Sequence, residues 1–371
     1  MSLSFRTMLS ALAMGGSLFI TSAYADIIVG FIGPLTGPVA SYGIQTRNGA
    51  KVAIDALNAK GGIDGEKLIL KEFDDAADPK QSVSAANQAA GEGVQYVIGL
   101  PTSNAAMPAS AVLEENGIPL ITNGATVTDL SLRGFWNIVR TIGRDDQQGK
   151  FAAEYVLKHF NGKKIAILHD RALYGKGLAD AFKAAFNAGG GKEVYYGSIT
   201  PGEKDYSAMV SRLKAANVDY VYFGGYHPEA GLLLKQMREQ GVQAPLIGGD
   251  GYHTSELWSI AGKAAEGTLF SNSIDPRHNP SAQEAIKQLA AQSILPETFT
   301  VNSYAAVQVL TYGIKKVGSA DDPEAVLKAI KTGEPIPTIL GDITYDKNGD
   351  ITSRAFAMAQ WHNGEIVPAD D

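Results

Sequence analysis

Short β-rich runs alternate with helical segments through almost the whole of this chain, and that rhythm limits the folds open to it. Ile27–Ile32 reads as a strand, and Gln45–Ala59 has a helical periodicity that stops at Gly61-Gly62. Leu68–Phe73 is a second strand. Asp78-Pro79 opens the next helix, with Asp as N-cap and Pro at the first helical position, where a missing N–H leaves nothing unpaired. Gln95–Ile98 and Pro119–Ile121 are further short apolar strands. A βαβα order makes strands parallel and places helices on both faces of the sheet. The rhythm then restarts. Helices over Asp146–Phe160, Tyr174–Ala188, Tyr206–Ala216 and Glu229–Gln240 separate strands at Lys164–His169, Glu193–Ile199, Asp219–Phe223 and Ala244–Ile247. Helices return at Pro280–Ser293, Asn302–Val317 and Pro323–Lys331. Asp342–Tyr345, a turn at Asp346–Gly349 and Ile351–Gln360 read as antiparallel strands. The expected fold is α/β, with two doubly wound parallel-sheet lobes. No low-complexity linker divides them, which predicts a hinge of several chain crossings.

The first residues stand outside the pattern. Met1–Arg6 carries one cation, Thr7–Ile20 is uncharged, and Ala23-Tyr24-Ala25 is an A-x-A cleavage site ahead of Asp26. Residues 1–25 therefore read as an export signal, and their apolar stretch is shorter than the ~20 residues of a membrane span. The remainder suffices for two domains at roughly 100–200 residues each. A net charge of -7 with no basic stripe argues against nucleic acid and against insertion into or adhesion to anionic membranes. The chain has no cysteine, which excludes thiol nucleophiles, thiolate metal sites and iron–sulfur clusters.

Open parallel sheets bind ligands beyond the carboxyl ends of their strands, so the segments after each strand matter most. In the first half these are Gly33-Pro34-Leu35-Thr36-Gly37-Pro38 with Tyr42, then Pro101-Thr102-Ser103, then Thr122-Asn123-Gly124-Ala125-Thr126. In the second half they lead to Tyr174, to Gly224-Gly225-Tyr226 and to Gly248-Gly249-Asp250-Gly251. Hydroxyls and loop N–H groups suit a carboxylate, above all where a helix begins. A lone carboxylate among aromatic rings suits an ammonium, and aromatic walls suit an apolar side chain. The set fits an amino-acid zwitterion, although each residue taken singly is an ordinary turn former.

Enzyme signatures are missing. Gly30-Phe31-Ile32-Gly33 does not complete G-x-G-x-x-G, and Gly189-Gly190-Gly191-Lys192 lacks the flanks of a phosphate loop. There is no G-x-S-x-G and no H-E-x-x-H. The six histidines are scattered; His169 and His227 fall near the inferred cleft but do not form a ligand pair. Asp74-Asp75 reads as a strand-end cap or turn.

Together the loops resemble those of the periplasmic leucine/isoleucine/valine-binding proteins, the type I solute-binding proteins of ABC-type amino-acid importers. The stretches that carry the likeness are Gly33-Pro34-Leu35-Thr36-Gly37, Asn58-Ala59-Lys60-Gly61-Gly62-Ile63, Phe73-Asp74-Asp75-Ala76-Ala77-Asp78-Pro79, Gly124-Ala125-Thr126, Thr200-Pro201-Gly202-Glu203-Lys204-Asp205, Phe223-Gly224-Gly225-Tyr226 and Tyr304-Ala305-Ala306-Val307-Gln308. The resemblance implies that Ser103 and Thr126 bind the ligand carboxylate, that the Gly124 carbonyl accepts from the ammonium, and that Asp250 is its counter-charge. It implies that Tyr42, Tyr174, Tyr226 and Phe299 line the pocket. It implies no cofactor and no metal, a monomer, a periplasmic location and a membrane permease as partner; a sensor of the same fold signalling to a membrane receptor is the alternative. It implies a type I periplasmic binding protein fold with three crossings, near residues 145, 273 and 350. The lobes would then comprise 26–145 with 274–350, and 146–273 with 351–371. Two departures stand out. Ala77 and Thr102 occupy positions where several relatives have a disulfide, and Asp250 stands where branched-chain binders commonly have Glu.

Overall fold

The computed structural model describes residues 26–353 and 356–369; the export-signal reading over residues 1–25 lies outside them. Strands β1 (Ile27–Gly33), β2 (Leu68–Asp74), β3 (Tyr96–Gly99), β4 (Leu120–Thr122) and β5 (Ile138–Arg140) form a sheet in the order β2-β1-β3-β4-β5, with every pair parallel. Helices α1 (Ala40–Ala59), α2 (Pro79–Gly91), α3 (Ser103–Glu115) and the short α4 (Asp129–Leu132) connect them. Successive strand residues point to opposite faces, and the core divides accordingly. Val29, Tyr96, Ile98, Ile121 and Val139 pack on one face with α1. Ile32, Val97, Leu120 and Ile138 pack on the other with α2 and α3. Helix α2 starts as its sequence requires: the Asp78 carboxylate accepts from the N–H groups of Lys80 and Gln81, each at 2.9 Å.

The second lobe repeats the plan with β6 (Ile165–His169), β7 (Tyr195–Ser198), β8 (Tyr220–Gly224), β9 (Leu246–Gly248) and β10 (Leu269–Ser273). Its helices are α5 (Asp145–His159), α6 (Leu173–Ala188), α7 (Ser207–Ala215), α8 (His227–Glu239) and α9 (Ser255–Ala261). Again the strands serve two faces. Leu168, Val221, Phe223 and Leu246 pack on one side, and Ile167, Tyr222 and Ile247 on the other. The chain then returns to the first lobe as α10 (Gln283–Ala291), α11 (Thr298–Val317), α12 (Pro323–Ile330) and the antiparallel pair β11 (Ile336–Thr338) and β12 (Gly341–Ile343). Finally β13 (Phe356–His362) and β14 (Glu365–Pro368) complete the second sheet, whose order is β14-β13-β10-β9-β8-β6-β7.

The chain thus crosses between lobes three times: after β5, after β10, and between Ile351 and Phe356. A buried ion cluster ties the first crossing to the last. Asp350 accepts from Arg140 Nε at 2.9 Å and from Arg144 at 2.7 Å, and receives the Ser131 hydroxyl at 2.8 Å. Asp346 caps the turn before it, accepting from the N–H groups of Asn348 and Asp350.

The tail differs from expectation. Ile351 meets Tyr345 in a single bridge, while the strand that follows pairs antiparallel with β10 in the other lobe. The burial of Asp350 against two arginines fixes the chain at the crossing, so β13 finds its partner across the hinge. Helix α1 also begins at Ala40, five residues before the periodic segment, because Gly43 lets it pack against Pro34; a Cβ there would lie 1.8 Å from the Pro34 carbonyl oxygen.

Candidate functional site

Each expected contact residue sits just beyond a strand's carboxyl end or in the first turns of a helix, and the two sets face one another across the lobes. From the first lobe come Tyr42 in α1, Ser103 at the start of α3, Gly124 and Thr126 after β4, and Phe299 in the first turn of α11. From the second come Tyr174 in the first turn of α6, Tyr226 after β8, and Asp250 after β9. All but Tyr226 are buried.

The aromatic residues meet. The Tyr42 ring lies 4.7 Å from Phe299 and 5.5 Å from Tyr226, and Tyr226 stacks on Tyr174 at 4.9 Å. The Tyr42 hydroxyl donates across the cleft to the Gly251 carbonyl at 2.7 Å. At the lip, the Leu173 N–H donates to Asn104 Oδ1 at 2.9 Å, and the Ser255 N–H donates to Glu297 at 3.2 Å. These contacts hold the lobes shut. Gly124 is required by closeness: a Cβ would stand 2.6 Å from the Phe299 ring and 2.8 Å from the Pro101 carbonyl oxygen.

The polar groups divide by sign. On the first lobe, Ser103 Oγ accepts from the Val127 N–H at 3.2 Å, which leaves its own proton to donate. Among the described residues the buried hydroxyl of Thr102 has no hydrogen-bond partner, and that of Thr126 is buried facing the Asp145 carboxylate. On the second lobe, Asp250 is 2% exposed and receives the Tyr174 hydroxyl at 3.1 Å. Burial pushes its carboxyl up to about 6, against the stabilising contacts of Gln148 and Tyr174. The placement of hydroxyls opposite a carboxylate is the polarity a zwitterion needs.

Two further groups at this site carry no role in the sequence reading, which places only His227 of them near the cleft. Asp145 opens α5, and its carboxylate is buried. Burial pushes it up to about 8; Thr126 faces it and Arg140 attracts it, while the charge of Asp250 repels it. Gln148, one turn on, donates to the Ser271 carbonyl at 3.1 Å and turns towards Asp250. The available signal was their i, i+3 spacing on one helix face at a crossing. The second group is His227, whose Nδ1 lies 2.7 Å from the Tyr42 hydroxyl and whose Nε2 lies 2.7 Å from Glu256. Asp74 is the turn cap it was read as, accepting from Leu35, Thr36 and Ala76.

A cavity of about 440 Å³ lies beside the cleft, lined by residues that include His253, Asn272, Glu297 and Trp361; none of the eight expected contact residues lines it. Among the described residues, no group of three or more His, Asp or Glu side chains is arranged to hold a metal ion, and no helix is long and apolar enough to cross a membrane.

Known proteins resemble this chain in sequence and in fold. A family model described as Periplasmic binding protein covers residues 26–365. The Leu/Ile/Val-binding protein BraC3 of Rhizobium johnstonii is 52% identical over 362 residues, 98% of this chain and 99% of that one. The Leu/Ile/Val-binding protein homolog 1 of Brucella suis is 47% identical, over 97% of both chains. In structure, the leucine-binding protein LivK of Thermotoga maritima superposes with a TM-score of 0.86, at 26% identity over 93% of this chain and 98% of that one. A solute-binding protein of R. palustris in complex with 4-hydroxybenzoate has the same fold, with a TM-score of 0.83 at 22% identity over 93% and 96% of the two chains. A match running from Asp26 to Glu365, with relatives at this identity over nearly their full length, makes the chain a member of the periplasmic binding protein family: a solute-binding protein and not an enzyme.

Proposed function

We propose that the protein is the periplasmic receptor of an ABC-type importer, binding a small or branched-chain amino acid between its lobes and handing it to a membrane permease as a monomer. The observation that carries this reading is the split of polar groups across the cleft. The ligand carboxylate would meet Ser103, Thr126 and the N-terminus of α3, where hydroxyls and helix N–H groups converge. Its ammonium would meet the Gly124 carbonyl and Asp250. Tyr42, Tyr174, Tyr226 and Phe299 would enclose the side chain. The relatives named for leucine, isoleucine and valine support an amino-acid ligand.

The energetics are sufficient without a cofactor. Leucine has about nine non-hydrogen atoms, and micromolar affinity needs ~8 kcal/mol, or about 0.9 per atom, below the ~1.5 ceiling for very small ligands. A ligand that touches both lobes favours the closed form, so binding shifts the population towards closure. The test is a thermal-shift screen of the twenty protein amino acids and γ-aminobutyrate, followed by small-angle scattering. A ligand at a hundred times its dissociation constant adds ~2.7 kcal/mol of stability. No stabilisation by any of them, or an unchanged scattering curve at saturation, would sink the two-lobe amino-acid clamp.

A further inference from the structure

The cavity of about 440 Å³ beside the cleft is walled by both lobes and by the second crossing. Leu295, Glu297 and Val301 line it from the first lobe, Trp361 and Ile366 from the second, and Ile274 from the chain between them. Its volume lies in the range of small-molecule sites, which favour junctions between domains. It shares a partition with the cleft. Phe299 faces the cleft while its neighbour Thr298 lines the cavity, as does His253, three residues beyond Asp250. The Thr298 hydroxyl donates to Asn272 Oδ1, and Asn272 Nδ2 lies 2.6 Å from His253 Nδ1, so this partition is tied together from both lobes.

Two features of the lining select a ligand chemistry. The first is unburied apolar surface. Leu295 is 62% exposed, more than any other large apolar side chain among the described residues, and Ile274 is exposed as well. Single exposed apolar residues are ordinary, but these two border one hollow. Trp361 spends its N–H on the Tyr252 carbonyl at 3.2 Å and so offers the cavity only carbon. The second feature is an imbalance of charge. Arg277 forks onto Asp275 through Nε at 2.8 Å and Nη2 at 2.7 Å, so the two charges answer one another. Burial pushes the His253 ring down to about 4, which leaves it neutral near pH 7. Neither group offers an anion a free cation. Glu297 is half-buried, and what acts on it is the Ser255 N–H and the repelling charge of Glu256, with no cation among them. Glu365 adds a further carboxylate to the same lining. Burial pushes Glu297 up to about 7, and an arriving cation would favour its charged form.

We propose that this cavity is a second ligand site, which takes a small amine with an apolar body and no carboxylate. The ammonium pairs with Glu297, and the apolar body packs on Leu295, Ile274 and Ile366. The two sites then divide their ligands by charge. The cleft offers groups of both signs to a zwitterion, whereas a carboxylate entering the cavity would meet acids and find no unpaired cation.

The probe is 2-phenylethylamine, titrated by calorimetry into dialysed protein, with 2-phenylethanol and phenylacetate as its neutral and anionic counterparts. The amine should bind, and both counterparts should bind at least about tenfold more weakly. Glu297→Gln keeps an acceptor for the Ser255 N–H but removes the charge, and should weaken the amine by about tenfold or more. Leu295→Lys changes an exposed residue and brings a like charge to the lining; it should weaken the amine at least as much. Asp250→Asn should leave the amine's affinity unchanged. In methyl-labelled protein the Leu295 and Ile366 signals, one on each lobe and identified by their loss in Leu295→Lys and Ile366→Val, should both move when the amine is added. No binding at millimolar amine, equal binding of 2-phenylethanol, or full affinity in either Glu297→Gln or Leu295→Lys overturns the site. A loss of affinity in Asp250→Asn, or binding that leaves both methyl signals in place, puts the amine elsewhere and overturns it too. None of these measurements needs an amino acid to bind, so the fate of the cleft reading is decided separately.

Discussion

Replacing Asp250 by Asn removes a charge while keeping an acceptor for the Tyr174 hydroxyl, which lies 3.1 Å away. A ligand cation about 4 Å from this carboxylate gains ~4 kcal/mol at an effective dielectric near 20, before desolvation is subtracted. Deleting one partner of a desolvated charge pair costs ~2–5 kcal/mol, so affinity should fall by roughly thirty-fold to several thousand-fold. The effect on folding has the opposite sign. In the folded protein the carboxyl is raised from 3.8 to about 6, so the folded state holds its proton more tightly than the unfolded chain. That contribution is fully present below the unfolded value and is lost as pH rises through about 6. At pH 7.5 wild type therefore carries a buried charge that Asp250→Asn lacks, and the unliganded variant should melt no lower than wild type. Calorimetric titration with the amino acid that gives the largest thermal shift, together with melting of the unliganded proteins, measures both. Wild-type affinity in Asp250→Asn would refute the counter-charge reading. Lower stability with unchanged affinity would return the residue to the role of a turn acid. Asp250→Glu adds one methylene and moves the charge towards the first lobe. It should reorder leucine, valine, alanine, proline and γ-aminobutyrate, and an unchanged order would refute that selectivity argument.

Asp145 is raised from 3.8 to about 8 in the folded protein, so it draws stability down by up to ~1.4 kcal/mol per pH unit as pH climbs between those values. Asp145→Asn should flatten the decline of urea midpoints between pH 5 and 8, and parallel curves for the two proteins would contradict this. Gly124→Ala drives a methyl into the Phe299 ring and should weaken binding tenfold or more; Phe299→Leu in the same chain should restore part of the loss, and no rescue would mean the clash lies with Pro101. Asp350→Ala leaves Arg140 buried without its counter-charge and should cost ~3–5 kcal/mol in denaturant unfolding. A loss below ~1 kcal/mol would show that the cluster is hydrated.

The lobes were legible because their strands are buried on both faces and their helices are bounded by clear stops, as at Asp78 and Gly61-Gly62. Strands β5 and β10 were not. Ile138–Arg140 has three residues, too few for a pattern, and Leu269–Ser273 carries mostly polar residues and pairs along most of its length with β13, which follows more than eighty residues later. The eight expected contact residues were read from their places after strands and from family likeness, and the structure brings them to one cleft. Asp145 was hidden because an acid at a helix start reads as a cap. The contact at His227 was hidden because its partner Tyr42 lies 185 residues away in sequence. No local pattern carries a contact of that range.

The Asn104–Leu173 contact at the lip of the cleft has a practical reach. Because the chain contains no cysteine, a thiol placed at each of these two positions would find no competing partner. Oxidation would then bolt the lobes together and reduction would free them, without any solute being added. Engagement of the proposed permease by the shut form could then be measured without ligand, with the reducing agent as the switch.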